Sequence, residues 1–129
     1  MEKKYSAQNI AAFIIYELND SNVFVNANTL QILLHLVNEK WIQVFGSSPY
    51  SEQSYSLHES GYIIKEVFDA YKEFGDEPLT APAKEWILKY GQFQFIVRPY
   101  GIPPFNEQEE KLVNEVLHQY RLSLLKNVS

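Results

Sequence analysis

Three histidines, His35, His58 and His118, are the side chains of this chain best suited to moving a proton or holding a metal near neutral pH. They lie far apart, and none stands in an HxH or HExxH spacing that would bring two imidazoles onto one face of a helix. His35 falls between leucines of an apolar run, where a packed histidine with one hydrogen bond is expected. His58, beside Glu59 and ahead of Gly61, sits in a loop, and a hydrogen bond at a helix start is its expected role. Glu109 and Glu110 are adjacent carboxylates, as acid–base chemistry would want. They also open a helix, where the dipole favours negative charge, so a structural role is expected. With no cysteine, the chain has no thiol nucleophile, disulfide or thiolate metal site. The five glycines are scattered, forming neither a phosphate-cradling loop nor a GxSxG elbow. The expectation is a protein that is not an enzyme, with no catalytic residues, no metal and no cofactor.

The elements that would position these groups are mostly helical. Ile10, Phe13, Ile14 and Leu18 recur at helical spacing over 6–19, with Ser6 as N-cap and Asn19-Asp20-Ser21-Asn22 as the turn that follows. Val23-Phe24-Val25 is a short β-rich bridge to Asn26 or Asn28, either of which can cap the next helix. That helix carries the longest apolar stripe of the chain: Leu30, Leu33, Leu34, Val37, Trp41, Val44 and Phe45, stopped by Gly46. Its width implies a central helix covered on more than one side. The polar stretch 47–60 holds at most one short strand around Tyr55-Ser56-Leu57, and a third helix is expected over 61–74.

A short helix over 83–90, carrying Trp86 as a core residue or partner anchor, follows a loop with two prolines. Residues 92–97 then alternate with period two, a strand expected to pair with the region around 50–57. Asn106 and Glu109 have capping-box spacing at the head of the last helix, which presents Leu112, Val113, Val116, Leu117 and Tyr120. The fold class read from this pattern is mainly α: one domain over 1–129, a compact bundle of four to five helices with a minor β ribbon.

Composition narrows the partners. The 129 residues carry 16 acidic and 11 basic side chains, a net charge of −5. Beyond Lys3-Lys4 no basic run could neutralise a series of phosphates, so no direct nucleic-acid binding is expected. The apolar stretch 10–16 is too short and too soon followed by Glu17 and Asp20 to span a membrane or serve as a secretion signal, and a cytoplasmic location is expected. Aromatic content is high, with 8 Phe, 9 Tyr and 2 Trp, and some tyrosines are expected at the surface, where a flat ring with a polar tip suits protein contacts.

The order of these motifs resembles the SocA-like antitoxin family, the Panacea domain, which is frequent in prophages. Leu30-Gln31-Ile32-Leu33-Leu34-His35 is similar to the family's second-helix pattern, and Phe45-Gly46 to its turn. Gly61-Tyr62-Ile63 stands where the family has a Gly-Pro-Val helix start, Phe74-Gly75 resembles a helix end, and 107–120 resembles the closing helix. The similarity runs from Ile10 to Tyr120. Ile32, His35 and Tyr62 stand where the family carries lysine, tyrosine and proline.

The resemblance implies a non-enzymatic phage-associated protein that neutralises a toxin by binding it, in some members by delivering it to a protease. The expected partner is thus a protein, a toxin or a host factor. The alternatives are a phage inhibitor of a host defence nuclease and, ranked lower, an enzyme whose site assembles only in space. The expected contact surface comprises the loop 47–60 and the turn 98–105, with Tyr50, Tyr55, His58, Arg98 and Tyr100 as partner-binding residues.

Overall fold

Two caps define the starts of the first long helices. The Ser6 hydroxyl accepts the Gln8 N–H at 3.2 Å ahead of α1 (Ala7–Asp20), and the Asn26 side chain accepts the Thr29 N–H at 2.9 Å ahead of α2 (Ala27–Phe45). Gly46, at φ 88°, closes α2 in the left-handed conformation that glycine adopts without a Cβ penalty. A computed structural model describes residues 4–50, 55–58, 61–88 and 95–126. Beyond α2 the order is β1 (Tyr55–His58), β2 (Gly61–Ile64), α3 (Lys65–Tyr71), a 3₁₀ turn (Lys72–Phe74), β3 (Lys84–Leu88), β4 (Phe95–Pro99) and α4 (Glu107–Lys126). The protein is mainly helical, as its periodicity implies.

The core lies between the helices. α2 packs against α1, α3, β2 and α4, and α1 also meets α3. Ile10, Ile14, Ile15 and Leu18 of α1, Leu30, Leu33, Leu34 and Val37 of α2, and Val113 and Leu117 of α4 are fully buried. Trp41 belongs to this core as expected, whereas Val44, placed in the same stripe by sequence, is 59% exposed. An aromatic cluster closes one end: Phe105 meets Tyr5 at 5.0 Å and Phe13 at 5.2 Å, both edge-on, and Trp41 packs on Phe45 at 5.1 Å.

Side-chain hydrogen bonds tie distant segments to this core. The Gln31 amide accepts the Ile64 N–H at 3.0 Å and donates to the Ile64 carbonyl at 3.2 Å, locking the β2–α3 junction onto α2. Asn106 and Glu109 form the expected capping box, each side chain accepting the other's backbone N–H at 3.0 and 2.8 Å. Glu109 is buried, and its carboxylate also accepts the Tyr5 hydroxyl at 2.6 Å, fastening the N-terminal segment to α4.

Several expectations give way. Val23–Val25 forms no strand; the Val25 carbonyl instead accepts the Leu79 N–H at 2.8 Å. The third helix starts at Lys65, because Gly61–Ile64 is strand β2 paired antiparallel with β1. Gly61-Tyr62-Ile63 is therefore not a helix start. The short helix expected over 83–90 is strand β3. It pairs with β4 in the register Lys84↔Pro99, Trp86↔Val97, Leu88↔Phe95, so the β4 partner is β3 rather than the region around 50–57. The two hairpins are separate two-stranded ribbons.

Candidate functional site

Three surface features lie outside the packed core, and each follows from how the elements end. The first is the β3–β4 hairpin. Its base is closed by the Tyr100 N–H donating to the Ala83 carbonyl at 2.9 Å. Among the described residues it makes no substantial contact with any helix. Side chains opposite one another in an antiparallel pair share a face. The register thus places Lys84, Val97 and Pro99 on one face. Lys84, Val97 and Pro99 are exposed. The turn that follows is anchored to the body by the Asn9 side chain, which donates to the Gly101 carbonyl at 2.8 Å, and its Ile102 is 59% exposed.

The second feature is a groove of about 550 Å³ between the 3₁₀ turn and the loop leading into β3. Buried Leu79 and Pro82 line it, with Ala70 beside them, while Glu73, Phe74 and Glu77 stand around it. Tyr71 holds this loop in place: its hydroxyl oxygen accepts the Ala83 N–H at 2.7 Å. Burial pushes the Tyr71 phenol up to about 12. Lys65 and Lys72 turn to Asp69, at 2.9 and 3.7 Å, and the hydrogen bond from Lys65 holds the Asp69 carboxyl below its ordinary value. Among the described residues no cation pairs with Glu73, Asp76 or Glu77.

The third feature is a more open groove of about 510 Å³ between α2 and α4, lined by Ile32, Leu36, Val116 and Tyr120. Beside it Lys40 bridges to Glu115 at 3.1 Å. Ile32 and Leu36 are 53% and 41% exposed, so α2 carries apolar side chains on a face that the described residues leave open.

The five residues named from sequence fare differently. Tyr50 is a correction: it is 2% exposed, and its hydroxyl donates to the Leu34 carbonyl at 2.6 Å, so it is a core residue and no surface anchor. The bridge between Tyr5 and Tyr50 draws that loop residue inward. Tyr55 and His58 lie at the two ends of β1, Arg98 lies in β4 opposite Glu85, and the side chains of all three fall outside what the structure describes. Tyr100 is half-buried at the base of the second hairpin. Arg98 and Tyr100 thus stand two residues apart in and just after β4, and Tyr55 and His58 lie on a different ribbon.

Among the groups with chemical potential, His35 is half-buried with its Nε2 3.1 Å from the Glu39 carboxylate, and His118 is exposed. No group of three or more His, Asp or Glu side chains among the described residues could hold a metal ion. No helix among them is long and apolar enough to cross a membrane. Sequence reasoning missed Glu73, Phe74, Glu77 and Lys84 as one constellation. The signal was present as an acidic and aromatic run ahead of Pro78, but only the fold returns Lys84 to it. No protein-family model matches this chain, and neither curated proteins nor solved structures match it.

Proposed function

We propose that this protein is a non-enzymatic binding domain that acts by docking onto another protein, in the manner of the SocA-like antitoxins whose motif order it resembles. The observation that carries this reading is exposed apolar surface on the β3–β4 hairpin, where Val97 is 41% exposed and Pro99 is exposed beside it. Exposed contiguous apolar surface costs solubility and is retained where a partner buries it. The half-exposed Ile102 turn next to it extends the same surface, in the region where Arg98 and Tyr100 lie.

The chain used as bait in its native host, with mass spectrometry of the retained proteins, tests this reading. A single stoichiometric protein partner is expected, lost when Val97→Asp places a charge on the hairpin face. Toxicity of that partner expressed alone, relieved by co-expression of this chain, identifies an antitoxin. A folded, monodisperse bait that retains no protein contradicts the proposal.

A further inference from the structure

α2 carries apolar side chains on two sides. One side builds the core. The other, at Ile32 and Leu36, is a wall of the open groove of about 510 Å³ whose opposite wall includes Val116 and Tyr120 of α4. Along that outer side Thr29, Ile32, Leu36, Glu39 and Gln43 follow one another in steps of 3, 4, 3 and 4 residues. This is the alternation of a coiled-coil seam, on a helix whose other face is already spent on the core.

The seam matches itself in one orientation. Laid antiparallel on a second copy, about a twofold axis midway between Ile32 and Leu36, it sets Ile32 of each chain against Leu36 of the other. The same register sets Thr29 of each chain against Glu39 of the other, a hydroxyl donor opposite a carboxylate. Laid parallel, the seam would put Glu39 beside Glu39. Charge favours a second copy as well. The chain carries a net charge of −5, yet only two charged side chains line the groove and both are engaged within the chain. Glu39 lies 3.1 Å from His35 Nε2, and Lys40 bridges to Glu115 at 3.1 Å. A second acidic protomer meets no row of uncompensated carboxylates here, and a basic partner gains no unpaired anion. α2 is about 28 Å long, and with α4 about 9 Å away the face covers roughly 500 Å² per copy, the low end of specific interfaces.

We propose that this protein forms a homodimer through the α2–α4 face, its two α2 helices antiparallel across a twofold axis at Ile32 and Leu36. The groove shares no lining residue with the β3–β4 hairpin, so the dimer stands or falls separately from the partner-binding reading.

Sedimentation equilibrium of the whole chain, from about 5 to about 500 μM, tests the proposal, with a dissociation constant on the order of 10 μM expected for a face of this size. Leu36→Glu sets a carboxylate against Ile32 on both sides of the axis and weakens the dimer by roughly tenfold or more. Ile32→Glu repeats the effect from the opposite position, and Phe74→Glu, exposed and outside the groove, leaves the dimer unchanged. Circular dichroism checks that each variant is folded. Since the chain has no cysteine, disulfide trapping reads the orientation. Mild oxidation of an equal mixture of Thr29→Cys and Glu39→Cys chains gives the mixed dimer in preference to either variant linked to itself. A wild type that stays monomeric throughout the range overturns the proposal, as does a dimer insensitive to both glutamate variants. Trapping of Glu39→Cys with itself in preference to the mixture overturns the antiparallel arrangement. A monomeric wild type whose host partner is lost in Leu36→Glu assigns the face to a different protein and overturns the homodimer.

Discussion

The helical body and the β3–β4 hairpin solve the same problem, satisfying backbone and apolar groups, in opposite ways. In the body, α2 is enclosed by α1, α3, β2 and α4, and buried polar groups close the seams: Gln31 on Ile64, Glu109 on Tyr5 and Asn106. In the hairpin, among the described residues, β3 and β4 pair only with each other, and neither strand makes a substantial contact with a helix. Buried apolar contact is therefore concentrated in the body, and the hairpin is the surface proposed for recognition.

Breaking the body should have the largest effect. Leu34 is fully buried on α2, so Leu34→Ala is expected to destabilise the fold by about 2–5 kcal/mol in urea unfolding, through lost burial and the cavity left behind. Alkaline pH attacks the same region. Burial holds the Tyr71 phenol at about 12, and burial together with Glu109 does the same for Tyr5. Both values lie above the ordinary tyrosine value, so the folded state binds more protons than the unfolded state between about pH 10 and 12. Stability is fully present below that window and falls as pH rises through it. Tyr71 accounts for a loss on the order of 2–3 kcal/mol. The urea midpoint at about pH 8 and about pH 11 should show the drop, and Tyr71→Phe should reduce it.

Gln31→Ala strips the partner from both the N–H and the carbonyl of Ile64 and is expected to cost about 2 kcal/mol, again read as a urea midpoint. Val97→Thr on the hairpin face should change stability by less than about 0.5 kcal/mol while weakening partner binding. A hairpin substitution that destabilises as strongly as Leu34→Ala would erase the distinction between the two regions.

The sequence was most informative where structure is set locally. Ser6, Asn26, Gly46 and the Asn106/Glu109 box each act within one turn of chain, and all are where spacing places them. The hairpin was not legible. Ala83-Lys84-Glu85-Trp86-Ile87-Leu88 has the composition of a helix, and only pairing with residues 95–99 makes it a strand. Gly61–Ile64 is read as helix for the same reason, its pairing with β1 being invisible to local propensity. Tyr50 shows the limit of inferring exposure from loop position. A tyrosine goes inside when its hydroxyl finds a partner, and the Leu34 carbonyl supplies one. The groove beside the 3₁₀ turn is non-local as well, since its lining takes in Ala70 and Phe74 on one side and Pro82 and Lys84 on the other.

The central claim, that the body holds the fold and the hairpin stands apart for recognition, is tested most directly by native-state amide hydrogen exchange of the free protein. The account predicts that α1 and α2 amides exchange only through global unfolding, while β3 and β4 amides exchange through local opening, orders of magnitude faster. Equal protection of β3–β4 and α2 in the absence of any partner would contradict it.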